Sequence, residues 1–349
     1  AMGEKDAKDV TASTAAERAA FVAAAGEPSY RAAQLEQWLF ARAAATFDEM
    51  TNLPTAFREK LARAFFIPRP AVRDEVTDDD GTTKYLFALR DGASVEAVYM
   101  PGDDHDAACL SSQVGCQYDC RICATGALAF RRNLTAYEIF AQFAIIQNRR
   151  PASRVRNVVL MGQGEPLANV HNVTRAVALL RGHFDVGSRR ITVSTVGIPD
   201  KIARWADEGP AVKIAVSLNS AVQETRDRLM PAAARYRLAE LAAACQYYTR
   251  RTRRRLTFEY VVCDGVNDDR RHARALVAFS RRMPSKINVI PFNPWPGAPF
   301  AQPSEERLAA FLTEVARGPM ALTVRRPRGA AVHAACGTLA NRAAAAAGR

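Results

Sequence analysis

Four of the seven cysteines stand in one stretch, "CLSSQVGCQYDCRICATG", residues 109–126. Cys116, Cys120 and Cys123 are spaced C-x3-C-x2-C, and Cys109 precedes them on the same stretch. Thiolates gathered in a short loop do metal chemistry, and two kinds of metal site compete for these. A structural zinc site wants four closed ligands. Cys109 would have to be the fourth, and its place on the preceding strand makes that awkward. An iron–sulfur cluster held by three protein thiolates leaves one iron open to a cofactor or substrate. A second group follows at 162–166, "GQGEP". Gly162 and Gly164 let backbone come close to a ligand, and the Glu165 carboxylate can accept from an ammonium. Alone the motif is weak, because glycine-rich strand ends also serve as plain turns.

Such groups need a scaffold that brings separate loops to one rim. From residue 108 onward the pattern is strands alternating with helices. Strand-like runs are 108–113, 155–161, 190–195, 212–218, 256–262 and 287–291; helix-like runs include 136–147, 170–180 and 238–248. Six βα units in series predict a parallel sheet with helices outside. The count suits a partial or full barrel, with its site at the C-terminal strand ends. An open doubly wound sheet is the alternative. The cysteine loop follows strand one and "GQGEP" follows strand two. Ser194 ends strand three, "SLNS" (217–220) ends strand four and "PFNPWPG" (291–297) follows strand six. Packing alone does not account for five such features on one rim.

Ahead of the barrel, residues 15–65 read as helical, with Leu35, Trp38 and Leu39 on one face. "TNLP" (51–54) offers a break and a new start. Residues 81–102 read as a hairpin turning at Asp91-Gly92. A last strand is expected at 321–326, before a low-complexity end. The expected organisation is therefore a helical accessory domain (1–80), a barrel with an N-terminal hairpin (81–326) and a tail (327–349).

No apolar run reaches bilayer length, and the polar, acid-bearing N-terminus is unlike a signal peptide. Both predict a cytoplasmic protein with reduced cysteines. The net charge of +12 comes mostly from arginine and favours a polyanionic partner such as nucleic acid. Its densest run is "RRTRRR" (250–255). The competing explanation is an Ala- and Arg-rich compositional bias.

C-x3-C-x2-C after the first strand of a barrel resembles the radical S-adenosylmethionine (SAM) superfamily. The segments "YRAAQLEQWLF", "FDEMTNLP", "CLSSQVGC", "CATG", "GEPL", "RDRLMP", "GVND", "IPFNPWPG", "PSEE" and "AACG" narrow the likeness. In order and spacing they resemble the RlmN/Cfr group of RNA adenine methyltransferases, from about residue 29 to residue 341. The resemblance implies a partial (β/α)6 radical SAM barrel. It also implies a [4Fe–4S] cluster on Cys116, Cys120 and Cys123, and two SAM molecules per turnover. SAM contacts would come from Gly164, Glu165, Ser194, Ser217, Leu218, Asn219 and Asn293. One SAM methylates Cys336, in "AACG"; the other, cleaved by one-electron reduction, gives a 5′-deoxyadenosyl radical that activates the methyl. Cys109 then resolves the protein–RNA adduct by forming a disulfide with Cys336, and Glu96 is the proton acceptor.

The implied product is adenine methylated at carbon 2, in 23S rRNA, in tRNA or in both. The implied partners are that RNA and an external electron donor such as flavodoxin. No membrane is implied, and the expected state is a monomer. The chain departs from the family pattern at "HDAAC" (105–109), Ile122, Ala232, Ala233 and Ala331. These positions surround the substrate rather than the cluster. They leave open carbon 8 of adenine, a non-ribosomal target or a small adenine-containing molecule. A reading of another class is a non-catalytic iron–sulfur or zinc RNA-binding protein; Cys109 and Cys336 argue against it. Cys245 and Cys263 read as buried thiols. The five histidines show no metal spacing, and His333 reads as a loop residue.

If the arginine surface serves RNA, phosphate neutralisation releases counterions. Affinity for an RNA substrate should then fall about 10³-fold between roughly 50 and 200 mM salt. Filter binding across a salt series checks this; a flat response would leave composition as the explanation of the charge.

Overall fold

The computed structural model describes residues 7–325, 328–329 and 331–339. Ten strands make the main sheet. They are β1 (Ala71–Thr77), β2 (Thr83–Ala88), β3 (Ser94–Met100), β4 (Asp106–Cys109), β5 (Val155–Leu160), β6 (Ile191–Thr195), β7 (Lys213–Ser217), β8 (Leu256–Val262), β9 (Ser285–Pro291) and β10 (Ala321–Val324). They lie side by side in chain order, with β1 at one edge and β10 at the other. Strands β1 to β4 are antiparallel neighbours. From β4 to β10 every pairing is parallel.

That order selects among the expected architectures. Crossovers between parallel strands are right-handed, so a series that never reverses puts its helices on one face. A doubly wound sheet needs a reversal and is excluded. The edges β1 and β10 do not pair, so the barrel is partial, as expected. Its helices include α4 (Ala136–Arg149), α5 (Val170–Phe184), α6 (Pro199–Glu208), α7 (Gln223–Leu229), α8 (Leu238–Thr252), α9 (Arg270–Ser280) and α10 (Glu305–Val315). Strands covered on both faces read as near-continuous apolar runs, as in "KIAVS" and "LTFEYVV". Helix α4 starts where Thr135 and Glu138 form a capping box.

The N-terminal helices are α1 (Ala15–Ala24), α2 (Tyr30–Glu36), which continues into a π turn at Gln37–Ala41, and α3 (Thr55–Ala64), which starts after Pro54. Leu35, Trp38 and Leu39 are all buried. This unit packs on the barrel: the Tyr137 hydroxyl on α4 donates to the Leu39 carbonyl at 3.0 Å. Two boundaries differ from expectation. The first parallel strand stops at Cys109, because Gln113–Val114 turns away to pair with Arg132–Asn133. Strand β1 was not legible, since its residues are nearly all exposed and carry no alternation. The low-complexity end at 343–349 lies outside the described residues.

Behind the rim, the wholly buried Arg226 of α7 donates to the carbonyls of Val196 (2.7 Å) and Ala233 (3.2 Å). It ties the segment after β6 to the turn after α7. Arg226→Met leaves both carbonyls without that donor and should destabilise the fold by about 3 kcal/mol. Urea unfolding of the variant against the parent protein checks this.

Candidate active site

The loop after β4 folds back by short turns: Cys123 N donates to Cys120 O and Gly126 N to Cys123 O. A side chain at Gly126 would put its Cβ 2.5 Å from the Cys120 carbonyl oxygen, so the turn requires glycine. Cys116, Cys120 and Cys123 line one cavity. Burial pushes the Cys116 thiol up to about 12 and Cys120 well above its ordinary value, and each feels the charge of its neighbours. Among the described residues no three His, Cys, Asp or Glu side chains converge on a single ion. A zinc site would need its sulfurs packed around one ion, at Zn–S about 2.3 Å. Three thiols that share a cavity without converging fit a larger, polynuclear group.

The cavity is open to solvent at its mouth and is also lined by Gly164, Glu165, Ser194, Ser217, Asn219 and Asn293. Gly164 sits at φ +98°, and a Cβ there would meet the Gln113 side chain at 2.5 Å. Gln113 in turn accepts from the Glu165 amide at 2.8 Å. Glu165 is 2% exposed, and its oxygens accept from the amides of Leu167 (3.0 Å) and Val196 (2.7 Å). Burial pushes its carboxyl up to about 7, against those hydrogen bonds. No arginine or lysine among the described residues is ion-paired with it. An acid so placed fits an ammonium ligand, which burial otherwise leaves it without. The thiols, the acid and the space together fit an iron–sulfur cluster with an amino-acid-bearing cofactor.

Leu218 is buried in the core and its side chain does not reach the cavity; its amide donates to the Glu259 carbonyl. Asn219 takes a left-handed backbone, φ 55°, and its amide group bridges Val261 N and Met230 Sδ. His333 lies in a turn at φ 50° and is not a cavity residue.

The tail crosses the mouth. Arg328 donates to the Pro101 carbonyl, Gly329 N to Asp80 and Ala331 N to Asp78. Asn293 then donates to the Cys336 carbonyl at 3.0 Å, and Ala124 N donates to Gly337 O at 2.7 Å. Cys336 thereby lines the cavity. Cys109, last residue of β4, packs with Ala334 and Leu339 of the same tail. Its thiol is pushed up to about 12 by burial and then by the charge of Cys336. Burial also raises Cys336, while the Arg325 guanidinium acts in the opposite sense on both thiols. All seven cysteines are free thiols.

Glu96 does not line the cavity. It stands on β3, 3% exposed in its side chain and ion-paired with Lys84 of β2. Sequence reading passed over Lys84, Arg325 and Glu259. Glu259 had a signal, an acid inside the apolar run of a parallel strand; it is 7% exposed, lines the cavity and accepts from Asn288 at 2.6 Å. The "RRTRRR" run ends α8 just before β8 begins, on the rim opposite the cavity. Arg251 there pairs with Asp207. The exposed arginines beside the cysteine loop are Arg121, Arg131, Arg228 and Arg235.

Comparison with known proteins agrees with this geometry. Residues 11–67 match the family described as "Ribosomal RNA large subunit methyltransferase N-terminal domain", and residues 110–277 match the radical SAM superfamily. A Thermus thermophilus protein described as "Probable dual-specificity RNA methyltransferase RlmN" is 45% identical over 315 residues, 89% of each chain. The dual-specificity RNA methyltransferase RlmN of Syntrophobacter fumaroxidans is 42% identical over 90% of this chain and 92% of its own. The crystal structure of a radical SAM methyltransferase from Sphaerobacter thermophilus superposes with a TM-score of 0.89 at 41% identity, covering 95% of this chain and 99% of that one. With a three-thiol loop and an acid-bearing cavity at the strand ends, and with relatives of this identity over nearly its whole length, the chain belongs to the RlmN family of radical SAM methyltransferases.

Proposed function

We propose that this protein methylates carbon 2 of an adenine in RNA, in 23S rRNA and in tRNA, with Cys336 as methyl acceptor and Cys109 as resolving thiol. The observation that carries the reading is the meeting of Cys109 with the Cys336 segment at the edge of the cavity lined by Cys116, Cys120 and Cys123. The substrate class follows from the relatives' description as dual-specificity RNA methyltransferases. Cys116, Cys120 and Cys123 would hold the [4Fe–4S] cluster. Gly164, Glu165, Ser194, Ser217, Asn219 and Asn293 would hold SAM, with the Glu165 carboxylate on its ammonium. When bound, the cluster and SAM supply methyl transfer and hydrogen-atom abstraction.

The chain's own residues do the rest. Carbon 2 of adenine is not nucleophilic, so a methyl-cation donor acting directly on the base does not suffice. Cys336 takes the methyl carbon on sulfur, and that carbon then joins the base to the chain. Asn293 fixes the Cys336 backbone while this happens. Cys109 attacks the Cys336 sulfur, and the new disulfide frees the methylated base. A thiol held near 12 is almost wholly protonated at neutral pH, which restrains Cys109 from reacting early. Glu96 accepts the proton that the ring carbon loses. In this reading residues 1–80 assist RNA binding, residues 81–326 form the barrel, and residues 327–349 carry the acceptor. The protein works as a cytoplasmic monomer with an electron donor of the flavodoxin kind. No described helix is long and apolar enough to cross a membrane.

Nucleoside mass spectrometry of RNA treated with the enzyme tests the reading, since it separates 2-methyl from 8-methyladenosine. Two further outcomes are expected. Replacing Cys116, Cys120 and Cys123 together by alanine should abolish binding of about four irons per chain; iron analysis after anaerobic reconstitution reads this. Cys336→Ala should give neither product nor adduct, whereas Cys109→Ala should trap enzyme joined to RNA as a nuclease-sensitive slow band on a denaturing gel. Full turnover by Cys109→Ala without an added thiol would sink the two-cysteine scheme.

A further inference from the structure

Lysine is almost never buried unless paired. Lys84 stands on β2 with its side chain 13% exposed, and its Nζ lies 3.2 Å from Oε1 of Glu96, whose side chain is 3% exposed. The register shows why the two meet. Leu86 faces Glu96 and Lys84 faces Val98 across the hairpin, and Val98 faces Cys109 across the next pair. Alternation along each strand then puts Lys84, Glu96, Val98 and Cys109 on one face of the sheet. That face is the one covered by Ala334 and Leu339 of the tail.

The backbone of Glu96 is pinned as well. Its carbonyl accepts from Ser111 Oγ at 2.5 Å and its amide donates to Gln163 Oε1 at 3.3 Å. Ser111 Oγ also accepts from Gln163 N at 2.8 Å. Glu96 is thus fixed to the starts of the cysteine loop and of the "GQGEP" loop, and Lys84 fixes its side chain.

The geometry points to Lys84 as a positioning residue for proton removal: its ammonium pairs with the Glu96 carboxylate and holds it in place on the face that carries Cys109. The inference rests on Glu96 being the proton acceptor. In that step the ring C–H bond breaks, an O–H bond forms on Glu96, and the C–H electron pair stays with the ring. Burial favours the neutral form of a carboxyl and a neighbouring cation favours the anion. Only the anion can take the proton. The other charged or titratable groups around this face, among the described residues, include Asp74 of β1 opposite Leu86, Cys109 of β4, and Arg325, Arg328 and Cys336 from the tail side. Asp74 is exposed, so Lys84 is the cation that the hairpin itself supplies.

The test follows decay of the protein–RNA adduct in a single anaerobic turnover of reconstituted enzyme on an unmodified 23S rRNA transcript, from pH 6 to 9. Lys84→Met should slow decay about tenfold near neutral pH, with recovery as pH rises, and Lys84→Arg should restore most of the rate. Should Lys84→Met not fold, Lys84→Gln carries the same expectation, since it donates a hydrogen bond but no charge. A second readout needs no turnover. In thermal unfolding, the loss from Lys84→Met should shrink when Glu96→Gln is added, as for a coupled pair. A slowing that does not depend on pH, or Lys84→Arg as slow as Lys84→Met, would overturn the inference and leave Lys84 a packing residue. Glu96→Gln releasing product at the parent rate would overturn the assignment of Glu96 itself. If Glu96→Gln stalls but Lys84→Met does not, only the role of Lys84 falls.

Discussion

Parallel strands joined by right-handed crossovers can add only in one direction unless the order reverses. Here it never does, and this constraint sets out the whole site. Each strand from β4 to β9 hands its successor loop to the same rim. The helices are confined to the outside, and the inside is left for ligand. The cysteine loop, the Glu165 loop, Ser194, Ser217 and Asn293 are successive positions along that rim, which is why residues far apart in sequence line one cavity.

The chemistry was more legible in the sequence than the fold's edges were. Cys116, Cys120 and Cys123 announce themselves by type and spacing, and the βα alternation needs only periodicity. Cys336 is different. Nothing in its own neighbourhood points to the cavity, and only likeness to a family gave it a role. Its place depends on polar grips made at a distance, from Asp78, Asp80 and Asn293. Lys84 was invisible for a related reason. A lysine in a hairpin reads as solvated, and its burial depends on strands that come later and on the tail. Leu218 shows the converse: its neighbours Ser217 and Asn219 face the cavity, while its own side chain is buried in the core. Adjacency in a motif does not carry over to adjacency in a site.

Around the cavity the protein buries titratable groups that most folds leave in water. Glu165, Glu259, Cys109, Cys116 and Cys120 all have their neutral forms favoured by burial. Metal ligands must be deprotonated thiols, and an ammonium beside Glu165 would restore its charge. Burial around the cavity thus favours the neutral forms, and ligands of opposite charge would favour the charged ones. Of the counter-charges that come from the chain, Arg325 and Lys84 lie toward Cys109, Cys336 and Glu96, while Arg226 acts on Cys120 of the cysteine loop.

The unpaired edges β1 and β10 have a topological consequence. A closed barrel offers its interior only through a ring of loops, which suits a free small molecule. A nucleobase inside a polymer is attached to chain on both sides, and even when turned out of its stack it stays so tethered. Such a substrate cannot be threaded; it has to be offered from the flank. The seam between the two edges is bridged by the tail rather than by a hydrogen-bonded ladder. Cys336, the proposed methyl acceptor, therefore sits on a wall of the barrel that is not held by the sheet's own hydrogen-bonded ladder.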